Sequence, residues 1–169
     1  NIRPFLGKPM IQYAIEVAKK SKIFQKIIVS TDSVKVENIA LKCGAEVPFL
    51  RPFELSKDCT PTIPVIQHSI EFFGKRNIDC NFVCCLYPCS PLIEAEDLKK
   101  SFEIMINSAI GSCFPVCQYP SPIERALTVD KSNAIHWINP EHKLTRTQDL
   151  NRTFFDSGTF YWASKEKWI

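Results

Sequence analysis

The chain has 169 residues, 45% of them apolar and 23% charged, enough to bury one sizeable core and short for two full domains. Its formal net charge is only +3, and the absence of any long run of like charges leaves no footprint for nucleic acid; a small anionic ligand suits it better. No apolar stretch approaches the roughly 20 residues needed to cross a bilayer, no cleavable leader opens the chain, and a cytoplasmic, reducing location is expected.

In chain order, Ile11, Ala14, Ile15 and Ala18 recur at helical spacing after Gly7 and Pro9 and predict an amphipathic helix with proline in its first turn. Residues 26–30 (KIIVS) are short, apolar and β-branched, the pattern of a strand buried on both faces of a parallel sheet. Asp32 or Ser33 can cap the next helix, which carries Val36, Ile39, Ala40 and Cys43 and stops at Gly44; a second strand follows at 46–50. The loop 51–61 leads to a third helix with Ile66, Ile70 and Phe73, ending at Gly74, and then to a strand at 82–86. A fourth helix shows Leu98, Phe102, Met105 and Ala109, and a strand at 112–116 closes the alternation.

Strands alternating with helices predict an α/β fold, Rossmann-like, with a mostly parallel, doubly wound sheet in a single domain over residues 1–169. Beyond Cys117 the prolines 120 and 122 break the pattern, and short β-like pieces at 126–129 and 134–138 read as an inserted arm, placed at 118–146. The chain returns to the sheet through Gly158 and a strand at 159–163. It opens at Asn1 and stops at Ile169 where a new helix would begin, so it reads as the interior of a longer protein.

Eight cysteines could suggest disulfides or zinc, but none forms a C-x-x-C pair. Cys84, Cys85, Cys113 and Cys117 are expected to fill strand cores as small hydrophobes, with Cys89 alone in a strand-end loop. The three histidines, His68, His136 and His142, have no ligand spacing, and His68 falls inside a helix, which suits a structural role. Neither a nucleophile elbow, an H-E-x-x-H pair, a phosphate loop of the G-x-x-x-x-G-K type nor a G-x-G-x-x-G fingerprint occurs.

Open parallel sheets bind ligands outside the carboxyl ends of their strands. That rule gathers Ser30-Thr31-Asp32, Arg51-Pro52 and Tyr87-Pro88-Cys89-Ser90-Pro91 on one edge, with Thr60 and Thr62 at a helix N-terminus facing the same way. Each has a plainer reading as well. Asp32 and Ser33 can serve only as caps, Arg51 and the basic group Lys143, Arg146, Arg152 as solvated surface, and the prolines as turn formers. Their convergence on one edge points to a nucleotide or sugar-phosphate site.

The segments NIRPFLGKPMIQYAI, IIVSTD, RPFELSKDCTPTIPVIQHSI, LYPCSPLI with AEDL behind it, FPVCQYPSPIERAL, TRTQDL and FDSGTFYWAS run in order along nearly the whole chain. Together they resemble the CMP-sialic acid synthetase family, the last four looking most like its pseudaminic acid cytidylyltransferase branch. The resemblance implies a nucleotide-diphospho-sugar transferase type of fold and transfer of CMP from CTP to the anomeric hydroxyl of a nine-carbon acidic sugar, with Mg2+ and release of pyrophosphate. It places Asn1 at the triphosphate and Arg51, Thr60 and Thr62 around the cytidine. It turns Tyr87, Pro88, Cys89, Ser90, Arg146, Asp156, Ser157 and Gly158 toward the sugar. It also implies a homodimer interlocked through the arm, a basic phosphate-gripping loop ahead of Asn1, and metal-binding aspartates beyond Ile169.

Where the sialic acid branch is similar to R-P-N-G-A, this chain has Phe155-Asp156-Ser157-Gly158-Thr159, and Tyr87 stands where glutamine is usual. Loss of a sugar-facing arginine favours pseudaminic acid over N-acetylneuraminic acid, legionaminic acid or Kdo. A non-catalytic nucleotide-binding module is the alternative of another class. A related glycosyltransferase would show a D-x-D motif, which is absent.

Overall fold

Leu6 and Gly7 both take positive φ, 45° and 83°, and so close a tight hairpin between β1 (Pro4–Phe5) and β2 (Lys8–Pro9). The computed structural model describes residues 1–169, which form two units, Asn1–Phe114 with Gly158–Ile169, and Pro115–Ser157.

In the first unit, α1 (Met10–Ser21) starts directly after Pro9, as its proline-led pattern predicts, and ends on Lys22 in the left-handed conformation. Its two apolar sides serve two clusters. Ile11 and Ile15 pack with Ala40 of α2 (Val34–Lys42) and with Ala45, while Val17 joins a second cluster described below. Helix α3 (Thr62–Gly74) ends at its glycine and buries Ile66 and Ile70. His68 meets Phe49 edge-on at 4.7 Å, a packing role.

Strand β3 (Phe82–Leu86) is followed by α4 (Ala95–Asn107), which Glu94 and Asp97 cap reciprocally, and then by β4 (Ser112–Cys113). The chain passes through the second unit and returns as β9 (Phe160–Ser164), ahead of the short α5 (Lys165–Trp168). Strand β9 pairs antiparallel with both β3 and β4, so those two run parallel to each other on either side of it. Leu98 and Met105 of α4 and Phe160 and Trp162 of β9 bury almost completely beside Val17, each burial stabilising by about 1.5–3 kcal/mol.

The expected strands at 26–30 and 46–50 lie side by side in parallel, bridged at Ile28 with Glu46 and Thr31 with Leu50, without forming a continuous ladder. Glu46 donates to the Ile27 carbonyl at 2.8 Å and Val29 donates to that of Glu46 at 2.9 Å. The next donor in this register is residue 48, a proline, which has no N–H to give. The α/β class therefore holds, with two refinements: the Pro48 interruption and one antiparallel member, β9.

The strand expected at 112–116 is likewise cut by Pro115 into β4 and β5 (Val116–Gln118), and β5 belongs to the second unit. There β6 (Leu127–Val129) pairs with β7 (Ile135–Trp137), and β5 pairs with β8 (Phe154–Asp156), with Tyr119 against Phe155 at 4.9 Å. The Asp130 carboxylate accepts from Ser132 N, Ser132 Oγ, Ala134 N and His136 Nε2 at 2.6–3.1 Å, closing the β6–β7 turn. The hydrogen bond from Ser132, then that from His136, holds its carboxyl well below the usual carboxylate range. The arm placed at 118–146 lies inside this unit, which runs from Pro115 to Ser157.

All eight cysteines are free. Cys117, expected in a strand core, is exposed in β5. Burial pushes the Cys85 thiol up to about 11 and Cys84 further. Between its ordinary value of 9.0 and about 11, the unfolded chain loses a proton that the folded chain keeps, so stability falls as pH rises through that window. Cys85→Ala is expected to make the fall in melting temperature across those pH values shallower; an unchanged slope would remove this thiol as a cause.

Candidate active site

The first unit contains a cleft of about 1020 Å³ whose lining includes Asn1, Asp32, Arg51, Thr60, Thr62, Tyr87 and Pro88. Apolar side chains of α1, α3, β3 and the 27–29 segment line it as well, together with further polar groups such as Lys57, Asp79 and Asn81.

Ser33, not Asp32, caps α2, its Oγ accepting from Val36 N at 3.5 Å. Asp32 is thereby left to face Arg51, with Oδ1 3.7 Å from Nη2. Ser56 Oγ accepts from Arg51 Nε at 3.2 Å and itself donates to the Pro52 carbonyl at 3.0 Å. The Arg51 N–H donates to the Thr31 carbonyl at 2.8 Å, so backbone and guanidinium are both fixed. Only part of its five-donor fork is used, and the residue lines the cleft.

Thr62 opens α3, and its hydroxyl lies 2.9 Å from that of Tyr87, the residue after β3. Cys89 Sγ donates to Asn1 Oδ1 at 3.4 Å, and Ser90 is buried at the base of the same turn. Gly158 re-enters the first unit at φ 65°, a left-handed conformation that glycine takes without strain. Arg146 belongs to the second unit, where it forms a bidentate pair with Asp149 at 2.7 and 3.1 Å. Asp156 ends β8, and Ser157 N donates to the Pro115 carbonyl at 3.2 Å within that unit.

The structure thus brings Asn1, Arg51, Thr60, Thr62, Tyr87 and Pro88 to one cleft, with Cys89 touching Asn1. Sequence reasoning missed the partners that hold them. Asp32 was legible as a cap candidate and as a member of the strand-end group, but nothing in the spacing marked it as a partner of Arg51, Ser56 as the acceptor for Arg51, or Tyr161 as the ring against Tyr87 at 5.6 Å.

The cleft gathers hydrogen-bond donors and acceptors from several loop and strand-end segments, and solved structures agree on the fold. A CMP:2-keto-3-deoxy-manno-octonic acid synthetase complexed with CTP superposes with TM-score 0.68 at 17% identity, covering 99% of this chain and 68% of that one. A 4-diphosphocytidyl-2C-methyl-D-erythritol synthase from Anaerococcus prevotii gives 0.64 at 10% identity, over 97% and 65%. The chain belongs to the cytidylyltransferase family, whose profile matches residues 1–161. The pseudaminic acid cytidylyltransferase of Campylobacter jejuni subsp. jejuni serotype O:2 is 36% identical over 169 residues, all of this chain and 73% of that protein. The CMP-N,N'-diacetyllegionaminic acid synthase of Legionella pneumophila is 31% identical over 123 residues, 72% of this chain and 53% of its own.

Proposed function

We propose that this chain belongs to an enzyme that transfers CMP from CTP to the anomeric hydroxyl of pseudaminic acid, releasing pyrophosphate. The observation that carries the reading is the 36% identity to a pseudaminic acid cytidylyltransferase across the full chain. The lower identity and partial coverage of the legionaminic acid relative favour the same sugar.

In the proposed reaction the sugar hydroxyl oxygen forms a bond to the α-phosphorus and gives up its proton to solvent, the bond from that phosphorus to the bridging oxygen of the β-phosphate breaks, and pyrophosphate carries the electron pair away. Such a transfer needs positioning and charge neutralisation more than covalent help. Asn1 and the Arg51 guanidinium are assigned to the nucleotide, with Thr60 and Thr62 as neutral donors or acceptors; their shared cleft supports that assignment. Tyr87, Pro88, Cys89, Ser90 and Gly158 of the first unit are assigned to the sugar.

Magnesium is proposed as the companion of CTP. The side chains here do not build a site for it: no group of three or more His, Cys, Asp or Glu gathers anywhere, and Asp32 is turned to Arg51. A homodimer is part of the proposal, supported by the second unit, where Val129 and Ile135 face each other across β6 and β7 and are each 65% exposed. A two-stranded hairpin is marginal alone, and a second copy would cover it. The eight free thiols support a reducing, cytoplasmic setting, and no helix is long and apolar enough to cross a membrane.

The test is pyrophosphate release by the full-length protein with CTP and magnesium, with pseudaminic acid, N-acetylneuraminic acid and Kdo offered in parallel. Release with pseudaminic acid alone is expected. Release only with another acid would reassign the sugar, and silence with all three would return the protein to a nucleotide-binding module.

A further inference from the structure

Tyr87 was read from the sequence as a sugar-side residue, yet its hydroxyl meets Thr62, on the nucleotide side. The phenol is held from two directions. Its backbone N–H donates to the Thr159 carbonyl at 2.9 Å, and its ring stands edge-on to Tyr161 at 5.6 Å. Thr62 is equally constrained as the first residue of a 13-residue helix, and its hydroxyl is not spent on capping, since Pro61 is the N-cap and no side-chain cap bond is made there. Two hydroxyls 2.9 Å apart on fixed backbones give one hydrogen bond whose direction matters.

A phenol is a stronger donor than an aliphatic alcohol, so the favoured arrangement has Tyr87 donating to Thr62 Oγ1. The threonine proton is then free to turn away from the tyrosine, toward a ligand in the cleft that both residues line. Hydrogen bonds in series strengthen one another, and a threonine already accepting a proton is a better donor to an anionic oxygen.

We propose that Tyr87 is a positioning residue for the nucleotide, acting through Thr62: its hydroxyl fixes Thr62 as a donor to an oxygen of the bound nucleoside triphosphate. The proposal rests on the assignment of Thr62 to CTP under Proposed function. It makes a residue at the sugar end a determinant of nucleotide affinity and ties the two substrates through one bond. Where sugar binding strengthens that bond, the nucleotide strengthens sugar binding by the same factor.

The experiment measures CTP affinity calorimetrically, with the full-length protein, for the wild type, Tyr87→Phe, Thr62→Val, the double variant and Thr62→Ser, each checked for an unchanged melting temperature. Tyr87→Phe is expected to weaken CTP binding by about 3- to 10-fold, the effect of one neutral hydrogen bond. Thr62→Val should do at least as much, and the double variant should bind no more weakly than Thr62→Val alone, because the two side chains act as one unit. Thr62→Ser, which keeps the hydroxyl, should stay within about twofold of wild type, the usual scatter of independent effects. The proposal is overturned if Tyr87→Phe binds CTP as the wild type does and only the KM for the sugar moves, or if the two single effects multiply in the double variant. A wild type that binds no CTP would overturn both this inference and the functional reading beneath it, whereas a failure confined to the variants overturns the inference alone.

Discussion

Arg51→Gln is expected to lower kcat/KM for CTP by about 10- to 100-fold, corresponding to the loss of a charge-assisted hydrogen bond of about 1.5–3 kcal/mol. The arginine is anchored on both sides of its Cα: its N–H donates to Thr31, and Ser56 and Asp32 steady the guanidinium at 3.2 and 3.7 Å. With its side chain only 23% exposed, the group is partly shielded from water and competes well for an anionic ligand. Glutamine is shorter and uncharged, and it leaves the Asp32 carboxylate uncompensated in the cleft proposed for an anionic nucleotide, so repulsion adds to the lost attraction. Arg51→Lys should fall between the two, because the charge survives without the planar fork. Steady-state rates with CTP varied at saturating sugar decide it; an unchanged kcat/KM would remove Arg51 from the nucleotide site.

Phe160→Ala is expected to cost about 3–5 kcal/mol of stability, a large share of the roughly 5–15 kcal/mol that holds a typical domain together. Phe160 is 2% exposed, lies opposite Leu86 in the central strand of the three-stranded sheet, and packs with Leu98, Met105 and Val17. Those neighbours come from two helices and a second strand, β3, so the void left by the ring cannot close by moving one of them. Phe154→Ala provides the contrast: that ring is 54% exposed in β8, and its loss should shift stability by less than about 0.5 kcal/mol. Urea unfolding reads both, with a lowered midpoint and unchanged slope expected for Phe160→Ala. Equal midpoints would show that the core relaxes around the loss.

Helices were the most legible elements, because their burial repeats every three to four residues; Ile11, Ile15, Ile66, Ile70, Leu98 and Met105 all point inward as their spacing requires. Strands were legible as runs but not as partners. Nothing in the run 159–163 distinguishes a strand that continues a parallel series from one that slots antiparallel between two others, since direction is set by the path the chain takes between them. Pro48 and Pro115 were visible in the sequence, yet their effect depends on register: each matters because of the ladder position it occupies. At the candidate site the strand-end rule gathered Ser30, Thr31, Asp32, Arg51, Thr60, Thr62, Tyr87 and Pro88, which line one cleft, and also Pro52, Cys89, Ser90 and Pro91, which do not. What it lacked were the contacts that hold them: Asp32 to Arg51, Ser56 to Arg51 and Tyr161 to Tyr87. Those contacts are made by residues far apart or chemically ordinary, and only folding brings them together.

The second unit leaves the chain after β4 and returns at β9, and its own two ends meet where Ser157 N donates to the Pro115 carbonyl. A segment whose ends are tied together can change its length or contents with little demand on the framework that carries it, because closing a longer loop adds only slowly to the entropic cost. The β3-β9-β4 ladder is built entirely from residues outside 115–157. A cassette carried in this way can diverge in length and sequence across generations while the strands that frame it keep their pairing.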